Sequence, residues 1–367
     1  MIINKLFIRN KNCRISICLV VLLSLYLINK MIITENKLLI KNIKDINRIE
    51  IYPLSDIFNV SKKNKTILIF EPNHFHSECS PGYTKYFIDL GFNVDIIMNQ
   101  YGKDSFSLFE KKEKIRIFFY NNTKEITLLN FNLKIFMNQY SFILVQTITK
   151  IKIGLISKLG LLNNKKAIYL FHNTTYYHLL NFTKLKNQYR IWTLGHFNFG
   201  LQVVPHYFGK IKIRTKNKKT RFLLFSTINR KYNYIISASE RLKEENIDFE
   251  FVVIGKTETF SSKNIKVKLK NNFIFNYNVN FSCLYKLVQS SDYIIINLDP
   301  NNKADVSFNK RRITGAAQLS YGFLKPVLIN KYFKNIYYMN NDNSLIYENN
   351  NFYEIMKKAI NLHIIYL

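Results

Sequence analysis

Short apolar runs that end in polar residues constrain this chain more than any other feature of its sequence. From Thr66 onward, runs such as "TILIF" (66–70) and "KAIYLFH" (166–172) are continuous rather than alternating. A continuous run of this length is typical of a strand buried on both faces of a parallel sheet. Helix-like segments separate the runs, so the pattern predicts a doubly wound α/β architecture.

The predicted strands form two series on either side of "LQVVPHYFGK" (201–210), where Pro205 and nearby glycines mark a hinge. The predicted strands are 66–70, 93–99, 114–120, 142–148 and 166–172, then 221–227, 249–256, 265–269, 292–298 and 325–330. Helix-like spacing covers 82–92, 152–162, 232–245, 281–291 and 315–322. We therefore expect two similar Rossmann-like domains, residues 64–204 and 205–367.

Composition allows two buried cores and gives the chain a strong positive charge. Of its 367 residues, 47% are hydrophobic, and the formal net charge is +30. Such a charge favours phosphate-bearing partners. The lysines are scattered and do not alternate with aromatic residues as in a nucleic-acid module, so we expect no nucleic-acid partner.

The N-terminus predicts a membrane anchor. Residues 1–14 form a basic tail, residues 15–34 are mostly apolar, and residues 35–63 are polar and lysine-rich. We interpret these as a tail, an uncleaved transmembrane signal-anchor and a stem, with a cleaved signal or a buried helix as alternatives. Lysines on both sides leave the orientation open. The expected location is a membrane, at its cytoplasmic face in a bacterium or facing the Golgi or ER lumen in a eukaryote.

The loop "EPNHFHSECSPG" (71–82) crowds several chemically active side chains after the first predicted strand. His76 and Glu78 could orient an acceptor or take a proton, because histidine titrates near neutral pH. In an extended loop, His74, His76 and Glu78 would share one face and could instead bind zinc. A purely structural role, satisfying the loop backbone, is a further alternative. His172, at the end of another predicted strand, is either an active-site residue or a residue that caps the strand end.

The four cysteines point to free thiols rather than to a disulfide framework. Cys13, Cys18, Cys79 and Cys283 form no CxxC pair. Small buried thiols are the ordinary expectation for such residues. Cys79 as a nucleophile would need a base and an orienting partner that the sequence does not identify.

In the second half, the residues that follow strands resemble a phosphate site. Arg230 and Lys231 precede a predicted helix, whose free N–H groups favour an anion. Thr314 and Gly315 begin another helix and could offer a hydroxyl and close backbone approach. Ordinary helix capping and surface lysines explain the same residues equally well. Neither GxxxxGK[ST] nor GxGxxG occurs.

Three segments in this order resemble the GT-B glycosyltransferases, in particular the large retaining group that builds bacterial polysaccharides. They are "HSECSPGYTKYFIDLGFNVDII", "FLLFSTINRKYNYIISASERL" and "LYKLVQSSDYIIINLDP…TGAAQLSYGFLKPVLI". The resemblance covers residues 65–360. It implies a GT-B fold of two facing Rossmann-like domains behind the anchor helix, and a metal-independent hexosyltransferase that uses a nucleotide-sugar co-substrate and no cofactor. The acceptor would be a glycan or a lipid-linked molecule.

The resemblance also implies roles for individual residues. On the acceptor side, the candidate catalytic residues are His76, Glu78 and His172. On the donor side, the candidate binding residues are Thr227, Arg230, Lys231, Gly255, Lys256, Asp299, Thr314, Gly315 and Gln318.

One departure from the family pattern concerns the donor ribose. The family places glutamates before its final "G.PvI", whereas residues 310–327 contain no acidic residue. Gln318, Asp299 or Asp305 could take that place. The departure also keeps open a membrane-anchored protein that binds a glycan or nucleotide without catalysis, with a zinc enzyme as the third possibility.

Overall fold

The computed structural model describes most of the chain from Ile49 onward. The described residues are 49–59, 65–73, 76–109, 115–128, 130–149, 152–173, 190–195, 200–211, 219–226, 230–255, 265–309, 312–348 and 350–365. The predicted signal-anchor, residues 15–34, lies outside them. Among the helices that the structure describes, none combines the length and the apolar character needed to cross a bilayer.

The first sheet is parallel throughout its described strands. These are β1 (Glu50–Pro53), β2 (Thr66–Phe70), β3 (Asn93–Asn99), β4 (Ile115–Tyr120), β5 (Ile143–Val145), β6 (Ala167–Phe171), β7 (Ile191–Thr193) and β8 (Leu201–Gln202). Their order across the sheet is β1-β4-β3-β2-β5-β6-β7-β8. From β4 to β7 this is the 3-2-1-4-5-6 order of doubly wound folds, with one strand added at each edge.

The second sheet has the same order without additions. Its strands are β9 (Thr220–Ser226), β10 (Phe249–Gly255), β11 (Phe273–Tyr277), β12 (Tyr293–Ile296), β13 (Val327–Asn330) and β14 (Ser344–Tyr347). They lie in the order β11-β10-β9-β12-β13-β14, and every pair is parallel. Two parallel sheets of this kind fit the predicted pair of Rossmann-like α/β domains.

Helices cover the faces of both sheets. The α-helices of the first domain are α1 (Ser80–Asp89), α2 (Thr123–Leu128), α3 (Asn130–Met137) and α4 (Ile153–Lys158). Those of the second domain are α5 (Asn233–Glu244), α6 (Phe281–Gln289), α7 (Lys303–Val306), α8 (Gly315–Gly322) and α9 (Phe352–Ile365). Short 3₁₀ helices occupy Leu54–Phe58, Ser77–Cys79, Gln100–Phe106, Leu161–Asn163, Val267–Asn272, Ser307–Asn309 and Asn335–Tyr337.

The apolar runs are buried on both sides of each sheet, as the sequence predicts. In β2, Leu68 and Phe70 join the core on one face, and Ile67 and Ile69 join the core on the other. All five residues of this strand are buried. Each sheet is therefore the middle layer of three, and its loops at the carboxyl ends of the strands are left to bind ligands.

The predicted strand at 265–269 is wrong. Residues Val267–Asn272 form a 3₁₀ helix, and the third strand of the second sheet is Phe273–Tyr277 instead. Ile265 and Leu269 are buried, whereas Val267 between them is 81% exposed. Only every fourth residue reaches the core, which is a helical period and not a strand period.

The predicted stem is wrong where the structure describes it. Strand β1 (Glu50–Pro53) pairs with β4, and the 3₁₀ helix that follows buries Leu54 and Ile57. These apolar residues occur within lysine- and asparagine-rich sequence, so the apolar pattern is too short to indicate a strand. The first domain therefore begins before residue 64.

The chain crosses between the domains within residues 203–209. Val203 packs against the core of the first domain, and Phe208 belongs to the core of the second. Tyr83 on α1 donates its hydroxyl to the carbonyl of Val203 at 2.8 Å. Gly209 pairs with Leu108 of the first domain in an isolated bridge. The segment 203–209 therefore makes packing or hydrogen-bond contacts with both domains.

Gly82 allows α1 to touch this segment. A Cβ added to Gly82 would lie 2.3 Å from Cβ of Pro205. We expect Gly82→Ala to lower the free energy of unfolding by about 1–3 kcal/mol, because the overpacked contact must open. Gly154→Ala is the matched control, since nothing lies within 4 Å of its added Cβ in α4. That variant should be neutral or stabilising by up to about 1 kcal/mol. Urea unfolding of both variants measures the difference, and equal effects would contradict it.

Candidate functional site

The carboxyl ends of the strands face each other across the two domains. In doubly wound sheets the ligand crevice opens where the strand order reverses. That point lies between β2 and β5 in the first sheet, and between β9 and β12 in the second. The residues that follow these four strands therefore line the expected ligand crevices.

Two contacts between the domains join the loops at the carboxyl ends of the two sheets. Asn173, which follows β6 by two residues, pairs with Arg312 of the second domain in an antiparallel bridge. That register places His172 beside Ile313, next to the first residues of α8. Nearby, Sγ of Cys79 at the start of α1 lies 3.7 Å from Oε1 of Gln318 on α8. The N-terminus of α8 therefore faces the loops of the first sheet.

A buried carboxylate occupies the reversal point of the first sheet. Glu71 directly follows β2 and is fully buried. Its Oε1 accepts hydrogen bonds from the backbone N–H and the Nδ2 of Asn73, both at 2.9 Å. Its Oε2 accepts the hydroxyl of Thr147, which follows β5, at 2.6 Å. Oε1 is thus held by a residue of the same loop, and Oε2 by a residue that follows the adjacent strand β5.

Thr147 connects this carboxylate to His172. Its Oγ1 lies 3.2 Å from Nε2 of His172. Thr147 has a left-handed backbone, with φ of 50°, which is uncommon for a β-branched residue. Strained backbone of this kind concentrates at functional sites. The three side chains form a continuous Glu71–Thr147–His172 chain of hydrogen bonds, which we call the relay.

Burial changes the pKa values at both ends of the relay. Removal from water raises the pKa of Glu71 to about 7, although its hydrogen bonds to Thr147 and Asn73 oppose the rise. Burial lowers the pKa of His172 well below its ordinary value, and the neighbouring His76 lowers it further. Perturbed groups of opposite shift in one crevice are characteristic of proton-transfer sites.

Glu71 should make the stability of the protein fall as the pH rises. Between pH about 4.5 and about 7, the folded state keeps a proton on Glu71 that the unfolded state has lost. The free energy of unfolding should therefore decrease across this range by up to about 3 kcal/mol relative to Glu71→Gln. Denaturant unfolding of both proteins at pH 5 and pH 8 checks the sign. A difference between the two proteins that is the same at both pH values would contradict the prediction.

The predicted pair His76 and Glu78 lies beside the relay. Nδ1 of His76 is 3.2 Å from Oε1 of Glu78, and the His76 ring packs against that of His172 with centroids 4.4 Å apart. His76 has a positive φ of 68°, and its side chain is 40% exposed. The structure therefore brings the three predicted acceptor-side residues, His76, Glu78 and His172, together.

Metal and thiol chemistry receive less support from the same loop. Within the described residues, no group of three or more His, Cys, Asp or Glu side chains is arranged to hold a metal ion. His74, the third ligand of the zinc alternative, lies outside the described residues. Cys79 is buried, and burial raises the pKa of its thiol well above the ordinary value, followed in effect by the charges of Glu78 and Glu71. A thiol of raised pKa is a poor nucleophile.

The donor-side cations are paired in the second domain. Nε of Arg230 lies 3.8 Å from Oδ1 of Asp305, and both side chains are nearly buried. Nζ of Lys231 lies 3.6 Å from Oδ2 of Asp299, with the lysine largely exposed. All four residues lie at the reversal point of the second sheet. The cations expected to meet a diphosphate are thus opposed by two carboxylates in this structure.

The first turn of α8 presents open backbone. Gly315 has nothing within 4 Å of the position its Cβ would take. Thr314, at the N-cap, makes no side-chain capping bond, and its N–H donates to the hydroxyl of Tyr337 at 3.3 Å. An uncapped helix start with an uncovered glycine suits an approaching anion.

The other predicted donor residues are dispersed. Gln318 is 4% exposed and contacts Cys79 of the first domain, so the structure places it in the contact between domains. Gly255 ends β10 and accepts a backbone hydrogen bond from Asn278. Thr227 and Lys256 lie outside the described residues.

Glu71 and Thr147 are not among the candidate catalytic or donor-binding residues that the sequence predicts, although Glu71 is one of the polar residues that follow the first predicted strand. Glu71 directly follows the predicted strand at 66–70, whereas Thr147 lies inside the predicted strand at 142–148, which ends at Val145 in the structure. Their connection depends on β2 lying next to β5, and sequence order does not show that these strands are neighbours.

Comparisons with known proteins give only distant similarities. No protein-family model and no curated protein sequence matches the chain. Among solved structures, a glycosyltransferase from Rickettsia africae ESF-5 is similar at 12% identity and a TM-score of 0.42, over 82% of this chain and 89% of that one. The spinosyn rhamnosyltransferase SpnG complexed with spinosyn aglycone is 11% identical, with a TM-score of 0.39, over 82% and 91%. The S. aureus MnaA–UDP structure is 12% identical, with a TM-score of 0.39, over 72% and 78%.

Glycosyltransferases are thus among the solved structures that the chain resembles, in agreement with the resemblance stated from the sequence. TM-scores below 0.5 are too low to carry an argument about function.

Proposed function

We propose that this protein is a glycosyltransferase that moves a sugar from a nucleotide-sugar donor to the hydroxyl of a glycan or lipid-linked acceptor. The observation that carries the proposal is the bridge between Asn173 and Arg312. It sets His172 of the first domain beside the start of α8 in the second, where free backbone N–H groups favour an anion. Sugar transfer needs a group that takes the acceptor proton and a group that stabilises the leaving diphosphate, both close to the anomeric carbon.

The donor would lie over the reversal point of the second sheet. Departure of a nucleoside diphosphate develops negative charge, which preorganised cations and helix N-termini stabilise. Lys231, Arg230 and the first turn of α8 supply them in this crevice. For Arg230 to reach a diphosphate, the incoming anion must replace Asp305 as its partner.

The acceptor would lie against the first domain. His172 is kept neutral by burial, so its ring can accept a proton from the acceptor hydroxyl. The acceptor O–H bond breaks, its oxygen bonds to the anomeric carbon, and the bond from that carbon to the diphosphate oxygen breaks with its electron pair. His76 and Glu78 form the adjoining wall. The predicted signal-anchor would hold the site near a membrane-bound acceptor.

A nucleotide-sugar screen tests the proposal directly. Each candidate donor is added to the purified full chain, and the shift in melting temperature is measured, because a ligand at 100 times its Kd stabilises by about 2.7 kcal/mol. We expect one nucleotide class to stabilise the protein, and its sugar to be released or transferred. Stabilisation by the free nucleotide without turnover of any nucleotide sugar would favour the non-catalytic binding protein. No stabilisation by any nucleotide would reject both.

A further inference from the structure

We propose that Glu71 acts through Thr147 as a positioning residue that selects which ring nitrogen of His172 carries the proton. The inference rests on the proposed function for its catalytic meaning, but its structural content is independent of it. It follows from counting the hydrogen-bond donors in the relay, since hydrogen positions are fixed by the network.

With Glu71 ionised, the relay has one consistent arrangement of protons. The carboxylate can only accept, so the single hydroxyl proton of Thr147 points to Oε2, at 2.6 Å. Thr147 then has no proton left for His172, and Nε2 of His172 must donate to its Oγ1 across 3.2 Å. A neutral imidazole carries one N–H, so Nδ1 holds the lone pair. This form of His172 can act as a base at Nδ1.

With Glu71 protonated, the arrangement reverses. Oε1 already accepts two hydrogen bonds from Asn73, so the added proton belongs on Oε2. That O–H donates to Thr147, and Thr147 now donates to Nε2 of His172. Nδ1 must carry the ring proton, and His172 is no longer a base there. One protonation at Glu71 therefore changes the tautomer of His172 without charging its ring.

The same chain carries a proton during transfer. When Nδ1 takes the acceptor proton, the Nε2 proton passes to Thr147 and the Thr147 proton passes to Oε2 of Glu71. Charge and protons balance, and the carboxylate is the final acceptor. In the Ser-His-Asp triad the carboxylate stays ionised. In this relay the carboxylate, and not the imidazole, takes up the proton. Burial favours this outcome because it raises the pKa of Glu71 to about 7 and lowers that of His172.

Other ionisable groups surround the relay and influence its midpoint, which is the pH at which Glu71 is half protonated. The charge of His76 lowers the pKa values of both Glu71 and His172. His76 itself is hydrogen-bonded to Glu78. Glu71 also lies close enough to Cys79, Tyr120 and Lys152 to influence their pKa values. Cys79 and Tyr120 have raised pKa values and stay neutral near pH 7, so His76 and Lys152 are the charges that can move the midpoint.

The test is the tautomer of His172, read by nitrogen NMR on protein labelled at histidine, with the His172→Asn spectrum used for assignment. In the wild type we expect Nε2–H at pH 8.5 and Nδ1–H at pH 5.5. Glu71→Gln should give Nδ1–H at both pH values, because the glutamine amide donates to Thr147 as the protonated carboxyl does. An unchanged tautomer in the wild type between the two pH values, or Glu71→Gln spectra that follow the wild type, would overturn the proposal.

Variants at Thr147 keep the test decisive if Glu71→Gln does not fold. Thr147→Ser retains the hydroxyl and should preserve the pH-dependent tautomer, whereas Thr147→Val should abolish it. Where transfer is measurable, Glu71→Gln and Thr147→Val should lower kcat by about 100- to 10,000-fold, the range for loss of a general base. They should leave nucleotide binding unchanged. A wild type that switches tautomer but transfers no sugar would reject the proposed function and leave the relay standing.

Discussion

Replacing Asp95 by alanine is expected to destabilise the protein by about 3–5 kcal/mol, because it leaves a buried guanidinium without its charge partner. The carboxylate of Asp95 on β3 accepts hydrogen bonds from Nε and Nη2 of Arg116 on β4, both at 2.7 Å. Tyr140 also donates its hydroxyl to Asp95, at 2.8 Å. The Arg116 side chain is only 4% exposed, so water cannot replace the lost carboxylate.

Two further variants separate this cause from a general effect of losing aspartate. Asp89→Ala removes an exposed carboxylate that pairs with Lys85 four residues earlier on α1, and should cost less than about 1 kcal/mol. Asp95→Leu combined with Arg116→Met removes both charges and should recover most of the loss. The measurement is the free energy of unfolding in guanidinium chloride. A double variant as unstable as Asp95→Ala would show that the carboxylate matters for some reason other than pairing.

The sheets could be predicted from the sequence because their strands are buried on both faces. In "TILIF" the only polar side chain is that of Thr66, and all five side chains are buried, as expected for a central parallel strand. The edge strands have no such constraint. Strand β8, with two exposed residues, and β1, within lysine-rich sequence, carry too little apolar pattern to be recognised.

The sequence indicates which candidate residues lie near one another, but not the hydrogen bonds that connect them. Positions after strands gave His76, Glu78 and His172, and the structure places them together. The relay needs Glu71 and Thr147 to meet, although they are 76 residues apart in sequence. The same limit applies to Arg230, since no local pattern shows that Asp305 will lie beside it. Side-chain pairing across a sheet depends on strand order, which local periodicity does not contain.

Replacing Arg230 and Lys231 together by alanine is expected to weaken donor binding or turnover by about 3 kcal/mol, a factor of more than about 100. The two cations lie beside the reversal point of the second sheet, where a diphosphate would receive a charge-assisted hydrogen bond from each. Part of that gain is offset, because the diphosphate must displace Asp305 and Asp299 from their present pairs. The net loss is therefore smaller than the sum of two full ion pairs.

A matched double variant removes the same charge elsewhere in the second domain. Lys266 and Lys268 pair with Glu240 and Glu244 at the surface. Their replacement by alanine should leave donor affinity nearly unchanged, because solvent screens charges that lie outside the crevice. Calorimetric titration of the nucleotide, and kcat/KM for the nucleotide sugar, compare the two double variants at equal ionic strength. Equal losses in both would mean that the net positive charge, and not these two side chains, attracts the donor. Unchanged values for the Arg230 and Lys231 double variant would place the diphosphate elsewhere.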